Sequence, residues 1–336
     1  MLRHGPSKSQ KMLVIGVWAN RNWILGNWIK EVSSRSDETM NLRWVPTIFA
    51  NKRWWEKFAY LPFRNYGSYF FSYITIFEKY LSRNPEKYFG NSIVLYPHNE
   101  PEMGSIEHQV KVLNSAFCVY FFCSRDAEKL VKNGLDPSKT RIALCAVDVD
   151  CIPLPNLHRE SKTIVLASRF GPRKGLELLP ELVRQMPDWH FIGLGRGWET
   201  FISSTGLSDL PNFEHHEFNK DSRNYFFSKS EIFLSLSNLE GGPVPLIESM
   251  HLGCKIASTD TGFARDVISD SRNLLPINPT VEQVKKTLME VHEKEFKPNP
   301  VVATLTWDRL CRMMITDHKM IQSKKVSTSL HKKGNK

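Results

Sequence analysis

The sequence predicts an α/β protein made of two Rossmann-like, doubly wound domains whose parallel sheets face each other across a cleft. The first observation is the length of 336 residues, which is enough for two domains with separate cores. The second is a repeated order of elements: short apolar runs, such as 12–19 and 163–167, lead through loops into helical patterns. This order is typical of parallel sheets with crossover helices. The third is a stretch of mixed polarity with two prolines at 151–162, which predicts a linker between the domains.

These observations divide the chain into an N-terminal domain at 1–155 and a C-terminal domain at 160–300. The net charge of +10 is concentrated at the two ends of the chain. Residues 1–11 hold three basic residues and 323–336 hold five, with no acidic residue in either segment. Residues 322–336 are therefore predicted to form a basic, disordered tail. Such a tail is either only solvated or attracted to an anionic surface, a membrane or a nucleic acid.

The location predicted from the sequence is cytoplasmic. Hydrophobic residues make up 41% of the chain, yet no apolar run approaches the roughly 18 residues of a membrane span. The first eleven residues lack the apolar segment of a secretory signal. The six cysteines contain no C-x-x-C pair, which favours a reduced compartment.

Residues 51–89 are rich in aromatic side chains. This segment holds 14 aromatic residues, and seven basic residues are interleaved with three acidic ones. Several aromatics recur at three- and four-residue spacing, which indicates a helix. The segment is either a helix that packs its aromatics into the N-terminal core or a surface that rests peripherally on an anionic membrane.

The largest group of candidate functional residues lies in the stretch LEGGPVPLIESMHLGCKIASTDTG, which begins at Leu239. Its candidate ligand-binding residues are Glu240, Gly241, Gly242, Pro243 and Glu248. The glycines permit close approach of a ligand, and the proline is preset for the first turn of a helix. The N-terminus of that helix suits a phosphate, because its N–H groups are unpaired and its dipole is positive.

The two glutamates of this stretch lie too far apart to act as a glycosidase pair. Eight residues of helix span up to ~12 Å at ~1.5 Å per residue, whereas a glycosidase pair needs ~5–9.5 Å. One extended ligand, with hydroxyl groups at both ends and phosphate between them, fits the spacing better. A nucleotide-sugar has this form.

The stretch resembles the signature of retaining GT-B glycosyltransferases of family 4, the glycosyl transferases of group 1. Their signature is a glutamate, seven residues and a second glutamate, followed by a small turn, here GCKIAS. The segment TIVLASRFGPRKG resembles the family's strand followed by G-R-x-x-x-x-K-G, with Ser168 in place of a glycine. The resemblance covers about 164–317 well and the first 150 residues loosely. It implies the GT-B fold and a helix at 304–320 that packs back on the first domain.

The resemblance also implies roles for the donor-side residues. Arg169 and Lys174 would hold the diphosphate, since an arginine fork and a compact ammonium both suit it. Glu240 and the amides after it would hold sugar hydroxyls, and Glu248 would hold the ribose. The reaction would need no metal and no cofactor, with a nucleotide-diphospho-sugar as donor.

On the N-terminal side, the resemblance implies an acceptor or sugar-binding region. The loop after the first strand would face the donor phosphates with Gly16, and Arg21 is a candidate phosphate or acceptor contact. The family places a functional histidine in a turn that reads HEP. Here the triplet is NEP, which begins at Asn99, and the histidine is His98, one place earlier.

Asp148 and Asp150 form a D-x-D pattern, which transferases of another fold use to hold a divalent cation. Here the pattern falls where GT-B proteins end their first domain, commonly with an aspartate in a turn. The pair is therefore assigned to a structural turn, and no metal site is predicted.

The function predicted is transfer of a sugar, with retention, from a nucleotide-diphospho-sugar to a saccharide or lipid-linked acceptor in polysaccharide or lipopolysaccharide synthesis. Peripheral contact with anionic membrane would accompany it if residues 51–89 form a surface rather than core, and nucleic acid is not expected as a partner. Two alternatives stay open. One is a GT-B phosphorylase or nucleotide-sugar epimerase, and the other is a non-catalytic membrane- or nucleic-acid-binding protein.

Overall fold

The computed structural model of the chain describes residues 11–16, 30–32, 34–35, 41–46, 66–98, 100–155, 157–295, 297 and 300–334. The chain divides into two compact units. Unit 1 consists of Met1–Ala143 together with Trp307–Lys336, and unit 2 consists of Leu144–Thr306. We describe each unit by itself.

Unit 1 is built on a sheet of six parallel strands in the order β2-β1-β3-β4-β5-β6. The strands are β1 (Lys11–Gly16), β2 (Asn41–Pro46), β3 (Ser68–Phe71), β4 (Ser92–Tyr96), β5 (Cys118–Phe121) and β6 (Thr140–Ile142). The helices between them include α1 (Ile74–Arg83), α2 (Pro85–Tyr88), α3 (Ile106–Leu113) and α4 (Ser124–Lys132). Every side chain of β3, β4 and β5 is buried, as expected for central strands covered on both faces.

Unit 2 is built on a second sheet of six parallel strands in the order β12-β11-β10-β7-β8-β9. The strands are β7 (Glu160–Ala167), β8 (His190–Leu194), β9 (Phe213–His216), β10 (Ser230–Ser235), β11 (Lys255–Thr259) and β12 (Leu274–Leu275). The helices include α5 (Leu179–Gln185), α6 (Glu199–Thr205), α7 (Lys220–Lys229), α8 (Val244–His251), α9 (Ala264–Val267), α10 (Val281–Glu293) and α11 (Pro300–Thr304). The prediction of two parallel-sheet α/β domains is confirmed.

The boundary between the units lies earlier than residue 155. The segment 144–151 belongs to unit 2 because its backbone is bonded there. Val147 N–H donates to Leu305 O at 2.9 Å, and the Asn224 side chain donates to Asp150 O at 2.8 Å. The change in polarity at the prolines therefore marks an exposed stretch inside unit 2 rather than the point where the units divide.

The last helix, α12 (Trp307–Gly334), packs on unit 1 through buried polar contacts. Tyr120 donates to Asp317 Oδ2 at 2.7 Å, and Ser68 Oγ lies 2.6 Å from His318 Nδ1. The helix runs on to Gly334, so the prediction that 322–336 is disordered differs from the structure. No proline or earlier glycine interrupts the helix, and Lys325 holds it by donating to Gly67 O at 2.8 Å.

The aromatic segment contributes to the core of unit 1 in the part that the structure describes. Its buried aromatics, each at most 5% exposed, are Tyr69, Phe70, Phe71, Phe77, Tyr80 and Tyr88. Edge-on and tilted ring contacts join them, such as Phe71 with Tyr80 at 5.5 Å. The membrane-facing interpretation is therefore wrong for these residues. Residues 51–65, with Trp54 and Trp55, lie outside the described part of the chain.

None of the helices that the structure describes combines the length and the apolar character that crossing a membrane requires.

Candidate functional site

The order of strands in unit 2 points to one edge of its sheet. The chain leaves β7 in one direction through β8 and β9, then returns to place β10 against the other side of β7. The point between β7 and β10 is therefore a topological switch point, where the following loops diverge and leave a crevice. Arg169 and Lys174 follow β7, and Glu240 follows β10, so this edge receives the three predicted catalytic residues.

The loop after β7 crosses toward the end of β10, and Gly175 makes that path possible. Its φ is +62°, and a Cβ added there would lie 2.1 Å from Leu236 O. The same approach is fixed on the other side by Asn238 N–H, which donates to Arg173 O at 2.9 Å. A glycine after Lys174 is thus required by the close contact of two backbones.

Lys174 and Glu240 meet at this crossing as an ion pair. Their side chains are 25% and 17% exposed, so the pair is shielded without being cut off from solvent. Arg169 lies nearby in the chain, just beyond the end of β7, and is exposed. Within the described part of the chain, Arg169 forms no ion pair. Its guanidinium therefore remains available to an anionic ligand.

The glycine loop after Glu240 is held by the turn that follows β11. A Cβ on Gly242 would lie 2.7 Å from the Phe263 ring and 3.0 Å from Cys145 Sγ. A Cβ on Gly262 would lie 2.8 Å from Gly241 O. Both glycines are therefore needed for two turns to pack together, and the path of the loop is fixed before any ligand binds.

The glycine loop leads directly into α8, and Pro243 occupies the position before its first turn. No side chain caps α8, but Pro245 has no N–H and Leu246 N–H donates to Pro243 O at 2.9 Å, so Val244 N–H is the one donor of the first turn without a partner among the described residues. The start of α8 therefore offers one unpaired N–H donor, that of Val244, together with the positive end of the helix, four residues after Glu240.

Glu248 lies on α8 and is 3% exposed. Its Oε1 accepts from Arg223 Nη1 at 2.8 Å, and Asp148 Oδ2 lies 3.5 Å from the same nitrogen. Burial raises the pKa of Glu248 to about 7, while the charge of Arg223 opposes this shift and that of Asp148 adds to it. The predicted ribose-binding carboxylate thus forms a buried ion pair with Arg223, and the partly exposed carboxylate of Asp148 lies beside it.

Arg223 was not identified from the sequence. It lies on α7 within the motif KDSRNYFFSK, where nothing local marks it as functional. The signal that could have found it is Glu248 itself, because a carboxylate on the buried face of a helix requires a counter-charge. Asp148 was assigned to a turn, and the turn is present: Asp150 N–H donates to Asp148 Oδ1 at 3.3 Å.

In unit 1, His98 follows β4 and lies beside Glu100, with Nε2 2.7 Å from Glu100 Oε1. Tyr73 also donates to Glu100. Burial raises the pKa of Glu100, but the bond from Tyr73 and the interactions with His98 outweigh it, so the pKa lies below its usual value. Tyr73 and Glu100 were not predicted as site residues.

The remaining predicted residues of unit 1 are only partly covered. Gly16 ends β1, at the switch point of the first sheet, where β1 is flanked by β2 and β3. Asn99 and Arg21 lie outside the described residues.

Replacing Glu248 by glutamine should change how stability depends on pH. The folded-state pKa of about 7 lies above the ordinary value of 4.5. The folded chain therefore binds the proton more tightly, and this stabilisation is lost as pH rises between these two values. We expect the free energy of unfolding of the wild type, relative to Glu248→Gln, to fall by up to about 3 kcal/mol from pH 4.5 to pH 8. Urea unfolding at several pH values measures this difference.

The control for that experiment is Glu177→Gln, which removes an exposed carboxyl group of unit 2. Its stability relative to the wild type should change little with pH. Equal pH profiles for the wild type and Glu248→Gln would contradict the assigned pKa.

Comparison with known protein families identifies the central part of the chain. Residues 155–301 match the family model described as Glycosyl transferases group 1. The chain is also 31% identical over 195 residues to one of the subunits of the human phosphatidylinositol N-acetylglucosaminyltransferase. The match covers 54% of this chain and 38% of the human protein. The chain thus spans well under half the length of that relative.

Solved structures share the fold over nearly the whole chain. Sucrose-phosphate synthase from Thermosynechococcus elongatus superposes with a TM-score of 0.71 at 14% identity, over 94% of this chain and 100% of that one. HepE of Anabaena, in complex with UDP, gives 0.65 at 12% identity, over 96% and 100%. The lipopolysaccharide outer core galactosyltransferase WaaB gives 0.58 at 14% identity, over 94% and 99%. These neighbours are GT-B glycosyltransferases, so the GT-B fold is confirmed.

Proposed function

We propose that this chain, in which residues 155–301 form a glycosyl transferases group 1 domain, is a retaining glycosyltransferase that uses a nucleotide-diphospho-sugar. The observation that carries the proposal is the Lys174–Glu240 pair at the switch point of unit 2, next to the fixed glycine loop and the start of α8. This edge of the sheet offers positive charge, the unpaired N–H group of Val244 and a carboxylate. A sugar diphosphate needs all three.

The transfer step would break the bond between the anomeric carbon and the diphosphate and form a bond from that carbon to an acceptor oxygen, with the acceptor proton passing to the departing phosphate. Negative charge develops on that phosphate as the bond breaks. Positive groups that are already in place stabilise that charge without reorganisation. Arg169, Lys174 and the Val244 N–H at the positive end of α8 would supply them. Glu240 would accept hydrogen bonds from the sugar, and its pairing with Lys174 places both groups at the same edge. Glu248 would accept from the ribose.

The acceptor side of the proposal rests on unit 1. His98 and Glu100 form a polar pair at the carboxyl end of β4, a place where a saccharide hydroxyl can exchange hydrogen bonds with both. The matched human relative carries phosphatidylinositol in its name, and WaaB is named for the lipopolysaccharide outer core. We therefore propose a saccharide or lipid-linked acceptor, in cell-surface polysaccharide or lipopolysaccharide synthesis on the cytoplasmic face of a membrane.

A thermal-shift screen tests the proposal directly. A ligand that binds the folded state raises the unfolding temperature by mass action. UDP, GDP, ADP and their sugar conjugates should be compared with the matching nucleoside monophosphates. We expect one diphosphate series to raise the unfolding temperature and the monophosphates to do so much less. If no diphosphate or sugar nucleotide shifts it at millimolar concentration, the proposed function is wrong.

We propose that the reaction needs no metal ion, and turnover should then persist in excess EDTA. The Asp148 carboxylate faces Arg223 at 3.5 Å, so the D-x-D pattern already has a cation beside it. Among the residues that the structure describes, no three His, Cys, Asp or Glu side chains form a group that could hold a metal. The measurement is sugar release from the donor with EDTA and with added manganese. Loss of turnover in EDTA and recovery with manganese would contradict the expectation.

A further inference from the structure

The buried cluster around Glu248 contains a cation that the proposed mechanism does not use. Arg223 is 3% exposed, and its place on α7 is fixed from the start of the helix. Asn219 caps that helix in a reciprocal arrangement with Ser222, and Arg223 N–H donates to Asn219 O at 2.9 Å. The backbone of Arg223 is therefore fixed by α7, and its guanidinium is held by Glu248 on α8.

The contacts of the guanidinium are unequal. Nη1 carries both carboxylate contacts, to Glu248 at 2.8 Å and to Asp148 at 3.5 Å, while Nε donates to Asn224 Oδ1 at 3.1 Å. Nη2 is buried and has no acceptor among the described residues. A buried charged donor without an acceptor is costly for a purely structural ion pair, and such groups are concentrated at functional sites.

The hydrogen bond from Arg223 makes the two carboxylate oxygens of Glu248 inequivalent. Glu248 Oε1 is taken by Arg223, whereas Oε2 has no hydrogen-bond partner among the described residues. The bond to Oε1 fixes the plane of the carboxylate, and it leaves Oε2 able to accept from a hydroxyl. It also favours the ionised form, against burial and against the nearby charge of Asp148.

We infer that Arg223 is a positioning residue that orients the Glu248 carboxylate toward the ribose hydroxyls of the sugar nucleotide. The inference rests on the proposed function and adds a residue to its donor site. Arg223 itself need not touch the nucleotide. Asp148 competes with Glu248 for the same guanidinium nitrogen of Arg223. The Asn224 side chain donates to Asp150 O and so joins α7 to the first segment of unit 2.

The test is the difference in affinity between a ribonucleotide and its 2′,3′-dideoxy counterpart. UDP, GDP and ADP, each with its dideoxy form, are titrated by calorimetry at pH 8 into the wild type, Arg223→Met and Arg223→Lys. In the wild type, loss of hydrogen bonds to a carboxylate should weaken binding by about ten- to hundredfold. In Arg223→Met this ratio should fall below about threefold. Arg223→Lys keeps the charge without the planar fork and should lie between.

The control is Arg272→Met, which removes an exposed arginine paired with Asp270 elsewhere in unit 2 and should keep the wild-type ratio. A purely structural role for Arg223 would weaken both nucleotides equally, and an unchanged ratio in Arg223→Met would overturn the inference while leaving the proposed function intact. If Arg223→Met does not fold, an unchanged ratio in Arg223→Lys overturns it in the same way. Wild type that binds none of the three diphosphates would overturn the proposed function and this inference together.

Discussion

Lys174→Ala and Arg169→Ala should each lower turnover by about a hundredfold or more, a loss comparable to that of one oxyanion-hole donor. Lys174 is held at the switch point by its ion pair with Glu240, and Arg169 follows β7 as an exposed cation. Both would act on charge that develops on the departing diphosphate. The fall should therefore appear in kcat as well as in kcat/KM for the donor. Steady-state rates of sugar transfer or donor hydrolysis measure it.

Arg173→Ala is the matched control, because Arg173 lies in the same loop, is exposed and contributes its backbone oxygen to the contact with Asn238. That backbone contact survives the substitution, so turnover should change by less than about threefold. Near-normal turnover in both Lys174→Ala and Arg169→Ala would remove these residues from the diphosphate site. An equal loss in Arg173→Ala would mean that the total charge of the loop matters, and not the two positions.

Gly175→Ala should both destabilise unit 2 and displace Lys174. The added Cβ would lie 2.1 Å from Leu236 O, and the backbone there has a φ of +62°. The left-handed conformation costs about 1–2 kcal/mol for a residue with a side chain, and forced overpacking adds about 1–3 kcal/mol. We expect the free energy of unfolding to fall by about 2–5 kcal/mol. Turnover at a temperature where the variant is still folded should fall along with it.

Substitutions at two other glycines separate the cost of the left-handed conformation from the cost of overpacking. Gly171→Ala lies in the same loop, where the backbone is extended and no atom lies within 4 Å of the added Cβ, so it should be nearly neutral. Gly90→Ala has a φ of +64° and equally open space, so it should lose only the conformational part. Urea unfolding of the three variants gives the comparison. A Gly175→Ala protein as stable as Gly171→Ala would show that the loop can move away from β10.

The fold could be predicted from the sequence because parallel sheets give a strong pattern of apolar residues. Buried strands such as β4 and β10 are short apolar runs, and each is followed by a helix with a clear apolar face. That Lys174 and Glu240 lie close together could be inferred from the sequence for the same reason. Both residues follow central strands, and the carboxyl ends of parallel strands meet at one edge.

What the sequence could not supply was the identity of partners brought together across the fold. Glu248 and Arg223 lie 25 positions apart on two helices, and only the packing of α7 against α8 brings them to 2.8 Å. Tyr73 and Glu100 are joined in the same way. The aromatic residues at 66–89 were ambiguous because a segment rich in aromatic residues suits a core and a membrane surface equally. The helical spacing was also misleading, since Tyr69, Phe70 and Phe71 lie on strand β3. Burial in the folded chain decided between them.

The way α12 completes unit 1 has a consequence for the order in which the chain can fold during synthesis. Tyr120 and Ser68 are buried with partners that lie 197 and 250 positions later in the chain. All residues of unit 2 leave the ribosome before those partners do, so unit 2 can close its sheet and core while unit 1 still lacks its last helix. Until α12 arrives, the hydroxyl groups of Tyr120 and Ser68 and the apolar surface around them stay open to water or to chaperones. We therefore expect unit 1, although its first strand is made first, to be the last part of the protein to become native.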